Sequence, residues 1–221
     1  MIYLGLALYA EGPTDYLFLG PLLQRVAEEL ALDARGTVDV SEVLPLNEPP
    51  EFRDRPRDQR ILKAAELAVS QWRILFVHAD GAANPVKARV EQVEPALEAV
   101  EARMLSGKVC AVVPVRETEA WALCDPEAFR GSKARAAAVA RYRDQTGDSP
   151  ESDRDPKKSL RDILNSGLKP SARRGKTERD VTLRDLGERV DLERLRGLPS
   201  FERFEEEFRQ ALLALGVLRE R

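Results

Sequence analysis

Four acidic side chains follow three apolar segments that the sequence predicts to be strands. Glu11 comes after the first segment, Asp80 ends a later one, and Glu117 and Glu119 follow a third. If these strands are parallel, the acids meet at the carboxyl edge of one sheet, where open α/β sheets bind ligands. Clustered carboxylates repel each other unless a cation lies among them, and Mg²⁺ or Mn²⁺ prefers such oxygen ligands. The pattern favours a metal site, with solvated strand-end carboxylates as the simpler alternative.

A bound ion of this kind polarises a phosphoryl oxygen and lowers the pKa of a coordinated water, which makes phosphodiester cleavage feasible. The two glutamates are two residues apart, so they share a side on an extended segment and diverge once Thr118 begins a helix. We therefore expect only one of Glu117 and Glu119 to reach the metal ion, while the other binds an arginine or a partner.

The elements that would position these acids alternate along the first half of the chain. Apolar runs predict strands, and amphipathic stretches between them predict helices, which gives a mostly parallel sheet with helices on both faces. The predicted strands are residues 1–9, 37–44, 72–80 and 108–115, the second a candidate edge strand, and the predicted helices are 14–32, 57–71 and 85–105. Gly20-Pro21 predicts a kink in the first helix or its division into two.

The second part of the chain is predicted to be helical. Past Asp125 no strand pattern is present, and the clearest helix has Ser200 as its predicted cap and Gly216 at its end. Phenylalanines 201, 204 and 208 form a stripe on that helix. The expected fold is α/β, with a core over residues 1–125 and a helical C-terminal part over 126–221 packed on it.

Composition restricts the possible partners. Lys and Arg number 35 against 38 Asp and Glu, a formal net charge of −3, so any nucleic-acid contact must come from a local basic patch. The two cysteines have neither disulfide-framework nor metal-ligand spacing. No apolar run reaches about 18 residues and no cleavable leader is visible, so we expect a cytoplasmic protein without membrane contact.

Two basic stretches are candidates for that patch. Lys157 and Lys158 follow Pro156 at a predicted helix start, where two cations oppose the helix dipole. A nucleic-acid phosphate shared between the helix end and these lysines would remove the conflict, although both lysines could simply be solvated. A second possible phosphate contact is formed by Lys169, Arg173, Arg174 and Lys176.

The first strand, running into Glu11-Gly12-Pro13-Thr14-Asp15, resembles the opening of a Toprim domain. Toprim domains are the metal-dependent nucleotidyl-transfer and nuclease modules of topoisomerases, primases and overcoming-lysogenization-defect nucleases. The resemblance implies that Glu11 is a catalytic or metal-binding acid. The Toprim pattern continues with Asp-x-Asp after the third strand, which here reads His78-Ala79-Asp80. Asp80 matches, whereas His78 is either a ligand better suited to Mn²⁺ than to Mg²⁺ or a polar residue that ends the strand.

A longer resemblance covers most of the chain. Residues 113–125 look like the Pro-x-x-Glu-x-Glu-x-Trp-x-x-x-Asp stretch of a bacterial family of Toprim-like proteins of unassigned function, and the likeness extends to 155–158 and 199–204. It implies a setting in phage defence or DNA repair beside an ATPase. The sequence has no Gly-rich Walker loop, so a partner would have to supply the ATPase. Trp121, within this stretch, is more simply explained as a core residue than as a base-stacking platform.

Together these patterns predict a metal-dependent nuclease acting on DNA or RNA. The implied roles are ligand or general acid/base for Glu11, ligands for Asp80 and for Glu117 or Glu119, and transition-state cation for Lys157 or Lys158. One alternative is a catalytically degenerate Toprim-like module that docks onto an ATPase, which His78 in place of an aspartate favours. Small-molecule phosphotransfer is the third class, since the net charge does not indicate a polymeric substrate.

Overall fold

A computed structural model describes residues 1–129, 133–147, 149–166 and 176–219, with the side chains of 133, 134 and 176–181 excepted. Its centre is a four-stranded parallel sheet in the order β2-β1-β3-β4. The strands are β1 (Ile2–Tyr9), β2 (Val38–Pro45), β3 (Ile74–His78) and β4 (Lys108–Val112). The predicted α/β class is confirmed, and β2 lies at an edge of the sheet.

Ten α-helices surround this sheet in the described part of the chain. Those of the first half are α1 (Pro13–Leu30), α2 (Arg57–Leu67), α3 (Pro85–Ala88), α4 (Glu94–Ala102) and α5 (Glu119–Ala122). Those of the second half are α6 (Lys133–Thr146), α7 (Pro156–Asn165), α8 (Lys176–Arg189), α9 (Leu192–Arg196) and α10 (Pro199–Ala214). None of the helices among the described residues combines the length and the hydropathy needed to cross a membrane.

The apolar strands bury both of their faces, as expected for strands at the centre of a parallel sheet. On one face Leu6, Leu8 and Phe76 pack in a cluster that includes α1 and residues of the C-terminal helices. On the other face Leu75 and Val77 pack in a second cluster, which includes residues of α2 and α4. The loops at the carboxyl ends of the strands remain at the rim of this three-layer arrangement.

Helix α10 attaches the C-terminal part directly to the sheet. Phe208 packs edge-to-face on Phe76 of β3 with ring centroids 5.0 Å apart, and Phe204 stands 6.0 Å from the same ring. Glu207 accepts a hydrogen bond from Ala111 N at 2.7 Å, which occupies a backbone group on the β4 edge. The predicted aromatic stripe is therefore the surface that joins the two parts of the chain.

Some local expectations were wrong. Helix α1 runs without a break although it contains Pro21, so the first helix is not divided, and the alternative of a kink stays a prediction. The helix predicted over residues 85–105 is interrupted by a π-helical turn, Arg89–Val93, because Pro95 has no N–H to continue the regular hydrogen-bond pattern. Ser200 is not the cap of α10, since Leu198 occupies the N-cap position.

Candidate functional site

The parallel strands bring the predicted acids to one edge of the sheet. Glu11 follows the end of β1 and Asp80 follows the end of the neighbouring strand β3, with Tyr9 paired to Val77 in the register. The last residue of β3 pairs with the last residue of β4, so the chain that leads to Glu117 leaves the sheet at the same edge. Strands β3 and β4 end before the predicted limits, which places Asp80 and Glu117 in loops.

A short backbone ladder ties these two loops together. Ala82 N donates to Arg116 O at 2.9 Å, and Arg116 N donates back to Ala82 O at 3.0 Å. Both residues have left-handed backbone angles, with φ of 46° at Ala82 and 64° at Arg116. Non-glycine residues adopt this conformation at an energetic cost, and such strain clusters at functional sites. The ladder fixes the loop of Asp80 relative to the loop of Glu117.

His78 lies completely buried beneath this edge, with an exposed fraction of 0%. Its Nε2 is 2.9 Å from Thr118 Oγ1 and 3.4 Å from Asp80 Oδ1, and its Nδ1 is 3.9 Å from Asp15 Oδ2. The contact with Asp80 does not have hydrogen-bond geometry, and the buried Oδ1 atom has no hydrogen-bond partner among the described residues. The imidazole thus links a hydroxyl group to two carboxylates from different elements.

Asp15 belongs to the site although the sequence pattern did not single it out as a functional residue. It lies in the first turn of α1, where its Oδ2 accepts a hydrogen bond from Gly12 N at 2.9 Å. A carboxylate at this position also stabilises the positive end of the helix dipole. The sequence feature that could have identified Asp15 is its position four residues after Glu11, in the helix that follows the end of the strand.

Arg57 is a second residue that sequence reasoning missed. Its Nη2 donates to His78 O at 2.5 Å, and its Nη1 lies 3.8 Å from Glu11 Oε1. The guanidinium also stands over the ring of Tyr9, 5.7 Å from its centroid. Glu11 therefore pairs with an arginine at the rim of the site. No local motif marks Arg57, which is the first residue of α2.

Lys157 lies against the acidic side chains. Its Nζ is 4.0 Å from Glu119 Oε1, and the charges of Glu119 and then Glu117, Asp80 and Asp15 raise the pKa of Lys157 despite partial burial. The Glu119 side chain is only 13% exposed, and this burial raises its pKa although Lys157 acts in the opposite direction. A carboxylate of the chain itself thus supplies an anion near the start of α7.

Lys158 takes a different position on the same helix. Its side chain is exposed, and its backbone N–H donates to Asp155 Oδ1 at 2.9 Å. Asp155 is the N-cap of α7 and adds a second negative charge at this helix end. The dipole conflict that suggested a bound phosphate is therefore reduced by Asp155 and Glu119. Of the second basic stretch, Lys169, Arg173 and Arg174 lie outside the described residues, as does the side chain of Lys176.

The model of a protein family described as a domain of unknown function (DUF4276) matches residues 10–209. The chain belongs to this family. Comparison with curated proteins and with solved structures gave no significant match. The DUF4276 match begins at the end of β1 and continues into α10, so it includes the acidic edge and most of the helical C-terminal part.

Trp121 and Asp125, which both follow strand β4 in the chain, connect the acidic edge to the C-terminal helices. Trp121 is fully buried and donates from Nε1 to Ser200 Oγ at 2.7 Å, as expected for a core residue. Asp125, 4% exposed, accepts hydrogen bonds from the backbone N–H groups of Glu127 at 2.9 Å and Asp191 at 3.2 Å. These contacts are structural, and they position the segment that carries Glu117 and Glu119.

The donor atoms of this DUF4276 site are of the type that a hard cation prefers. The carboxylates at the edge offer oxygen ligands, and the buried Asp80 Oδ1 lacks a hydrogen-bond partner among the described residues. Within that part of the chain, however, no group of three or more His, Cys, Asp or Glu side chains lies close enough to hold a metal ion. Metal binding therefore requires the side chains of Glu11, Asp80 and Glu117 or Glu119 to converge, and it remains a prediction.

Proposed function

We propose that this DUF4276 protein is a metal-dependent nuclease of the Toprim type that hydrolyses phosphodiester bonds in DNA or RNA. The observation that carries the proposal is the arrangement at the carboxyl edge of the sheet, where acids follow the ends of three strands and Lys157 lies 4.0 Å from one of them, Glu119. Carboxylates collected in this way suit a divalent cation, and a nearby ammonium group suits the negative charge of a phosphoryl transition state.

The residues of the edge have distinct roles in this proposal. Glu11, Asp80 and one of Glu117 and Glu119 would hold Mg²⁺ or Mn²⁺, which would polarise the phosphoryl oxygen and activate a water molecule. Lys157 is protonated at neutral pH, and the surrounding carboxylates raise its pKa further, so its ammonium can stabilise charge on the phosphate. His78 would act mainly as a positioning residue, because its ring lies between Asp15 on one side and Thr118 and Asp80 on the other.

The proposed setting is phage defence or DNA repair together with an ATPase. The sequence contains no Gly-rich Walker loop, and the resemblance to Toprim proteins encoded beside ATPases suggests a partner that controls access to the substrate. We therefore expect weak cleavage by the isolated chain and stronger cleavage in the complex with such a partner.

Two contacts favour a second candidate, a catalytically degenerate module that docks onto the ATPase. Glu11 pairs with Arg57 at 3.8 Å, so a metal ion must compete with an arginine for this acid. His78 replaces the aspartate of the Toprim pattern, and its buried Nε2 already contacts Thr118. In this alternative the acidic edge is a binding surface rather than a catalytic one.

The test compares conservative variants of the purified chain in Mg²⁺, in Mn²⁺ and in EDTA on labelled DNA and RNA. Glu11→Gln and Asp80→Asn are expected to lower the weak cleavage of the isolated chain to its level in EDTA, because each removes a ligand charge. Asp39→Asn is the matched control, since Asp39 is exposed near the amino end of β2. His78→Asp should raise Mg²⁺-dependent cleavage, because it restores the aspartate of the Toprim pattern and adds an oxygen ligand of the kind Mg²⁺ prefers.

Binding of Mn²⁺, followed by electron paramagnetic resonance, gives a readout that does not depend on turnover. Glu11→Gln and Asp80→Asn should weaken Mn²⁺ binding, whereas Asp39→Asn should leave it unchanged. If Glu11→Gln both binds Mn²⁺ and cleaves as the parent does, the nuclease proposal fails and the docking module replaces it.

A further inference from the structure

A polar cleft of about 450 Å³ opens beside Glu11 and is not used by the proposed hydrolysis. Its walls come from the end of β1, the start of α1 and the connection between β2 and α2. Two arginines line it, Arg57 and Arg60, together with Tyr9, Asn47 and Glu48. The cleft therefore combines positive charge, amide and hydroxyl groups next to the acidic edge.

The connection that forms one wall is held firmly on the sheet. Tyr16 donates from its hydroxyl to Leu46 O at 2.7 Å and accepts a hydrogen bond from Ala10 N at 3.0 Å. Leu46 N donates to Leu8 O at 2.8 Å, and the Leu46 side chain is buried. The residues that follow Leu46, including Asn47 and Glu48, are consequently placed over the end of β1 by backbone and side-chain contacts.

Glu48 occupies the cleft as an internal anion. Its Oε2 accepts a hydrogen bond from Tyr9 Oη at 2.7 Å, and its Oε1 lies 3.4 Å from Arg60 Nη1. Burial works against its charge, but the Tyr9 hydrogen bond and Arg60 hold the pKa of Glu48 below its usual range. The contact with Arg60 is long, and the buried Arg60 Nε has no hydrogen-bond partner among the described residues.

The second arginine is fixed more tightly. Arg57 donates to His78 O and to Gln92 O, so its guanidinium is held in place while one edge faces Glu11. The guanidinium of Arg57 is fixed, and that of Arg60 beside it retains unused hydrogen-bond donors. Such a pair can bind an oxyanion, because the planar guanidinium of arginine matches phosphate geometry. The carboxylate of Glu48 already contacts Arg60, so a bound anion would have to compete with Glu48 for this arginine.

We propose that this cleft binds a phosphate group of a nucleic-acid strand, adjacent to the phosphate that the acidic edge would cleave. The inference rests on the proposed nuclease function, because it identifies where the same strand continues beyond the scissile bond. Arg60 is the principal contact and Arg57 the supporting one, with Glu11 lying where the cleft meets the acidic edge. Glu48 limits the affinity by competing with the phosphate for Arg60.

The proposal predicts opposite effects for two charge changes in the cleft. Arg60→Gln should weaken binding of a single-stranded oligonucleotide about tenfold, as expected for the loss of one charge-assisted contact. Glu48→Gln should strengthen that binding, because the competing carboxylate is removed while the Tyr9 hydroxyl keeps an oxygen acceptor. The matched controls are Arg55→Gln and Glu51→Gln, exposed positions on the same connection that do not line the cleft.

Binding is measured by fluorescence anisotropy with labelled DNA and RNA 12-mers in EDTA, so that neither metal binding nor cleavage contributes. The slope of log affinity against log salt should fall by about 0.7 in Arg60→Gln, the value for one phosphate contact on a single strand. Inorganic phosphate serves as a competitor and as a ligand in its own right. Circular dichroism and thermal melting verify that each variant is folded.

Equal effects of Arg60→Gln and Arg55→Gln would overturn the proposal, since net charge alone would then explain them. The proposal also fails if Glu48→Gln lowers stability and leaves binding at the level of Glu51→Gln. The contacts of Glu48 with Tyr9 and Arg60 would then only anchor the segment between β2 and α2. Binding of inorganic phosphate that depends on Arg60, without any effect on the oligonucleotides, would assign the cleft to free phosphate. Loss of cleavage in Asp80→Asn with intact binding in EDTA keeps this inference separate from the hydrolysis test, because Asp80 does not line the cleft.

Discussion

Phe208 provides a direct test of whether the sheet and the C-terminal helices unfold as one unit. Its side chain is fully buried and packs edge-to-face on Phe76 at 5.0 Å and stacked with Phe204 at 6.0 Å. Truncation of a buried phenylalanine to alanine costs about 3–5 kcal/mol through lost transfer energy and the cavity left behind. Since native domains are stable by only about 5–15 kcal/mol, Phe208→Ala removes a large share of the total.

For a chain of this length each kcal/mol corresponds to about 2–4 °C of melting temperature. We therefore expect Phe208→Ala to melt roughly 6–20 °C below the parent, and Phe208→Leu to lose about 1–2 kcal/mol because most of the volume is kept. Leu32→Ala is the control, since Leu32 is 83% exposed and its truncation should stay within about 0.5 kcal/mol.

The assay is urea unfolding, monitored by tryptophan fluorescence and by far-ultraviolet circular dichroism. Trp72 packs on the face of the sheet opposite α10, whereas Trp121 packs on the same face as α10. Tryptophan fluorescence and far-ultraviolet circular dichroism should therefore give one coincident transition in the parent and in Phe208→Ala. Separate transitions, with the helical signal lost first, would refute the shared core. A loss below about 1 kcal/mol would refute the packing argument.

Two further substitutions test the surroundings of the acidic edge. Glu119→Gln should stabilise the protein at neutral pH, because burial raises the pKa of Glu119 and makes its charged form unfavourable. The folded state then holds the proton more tightly than the unfolded state, so the gain should shrink as the pH falls toward about 4 and is checked by melting at several pH values. Gly187→Ala should cost about 1–3 kcal/mol, because a Cβ would overlap Phe18 O and lie 2.8 Å from Pro21 Cγ. Gly20→Ala is its control, with no described atom within 4 Å of the added Cβ, and unchanged unfolding of Gly187→Ala would refute this close approach.

The sheet could be predicted from the sequence because three of its four strands, β1, β3 and β4, are apolar on both faces. Runs such as the one ending at Tyr9 have no polar side to suggest solvent exposure, and helical segments separate them, which leaves parallel pairing as the expected topology. The positions of Glu11 and Asp80 at one edge followed from the same reasoning. The aromatic stripe of α10 was visible from its spacing, although the sequence did not show that Phe76 is its partner.

The contacts within the edge could not be predicted in this way. Arg57 reaches His78 O because the topology places α2 beside the end of β3, and no pattern around Arg57 records that. His78 contacts Thr118 because the loop after β4 brings Thr118 to it. The pairing of Glu11 with Arg57 similarly depends on distant segments. Contacts between residues far apart in the chain can be predicted only when the fold is known. The positions of residues at strand ends can be predicted from the order of the strands alone.

The ladder between Ala82 and Arg116 has a consequence for how the family can diverge. Because its hydrogen bonds join backbone atoms, the separation of the two loops does not depend on which side chains occupy the surrounding helices. The helical shell can therefore accumulate substitutions while the spacing of the acids is preserved. The same ladder couples the two loops, so an opening of one should appear in amide hydrogen exchange at both Ala82 and Arg116.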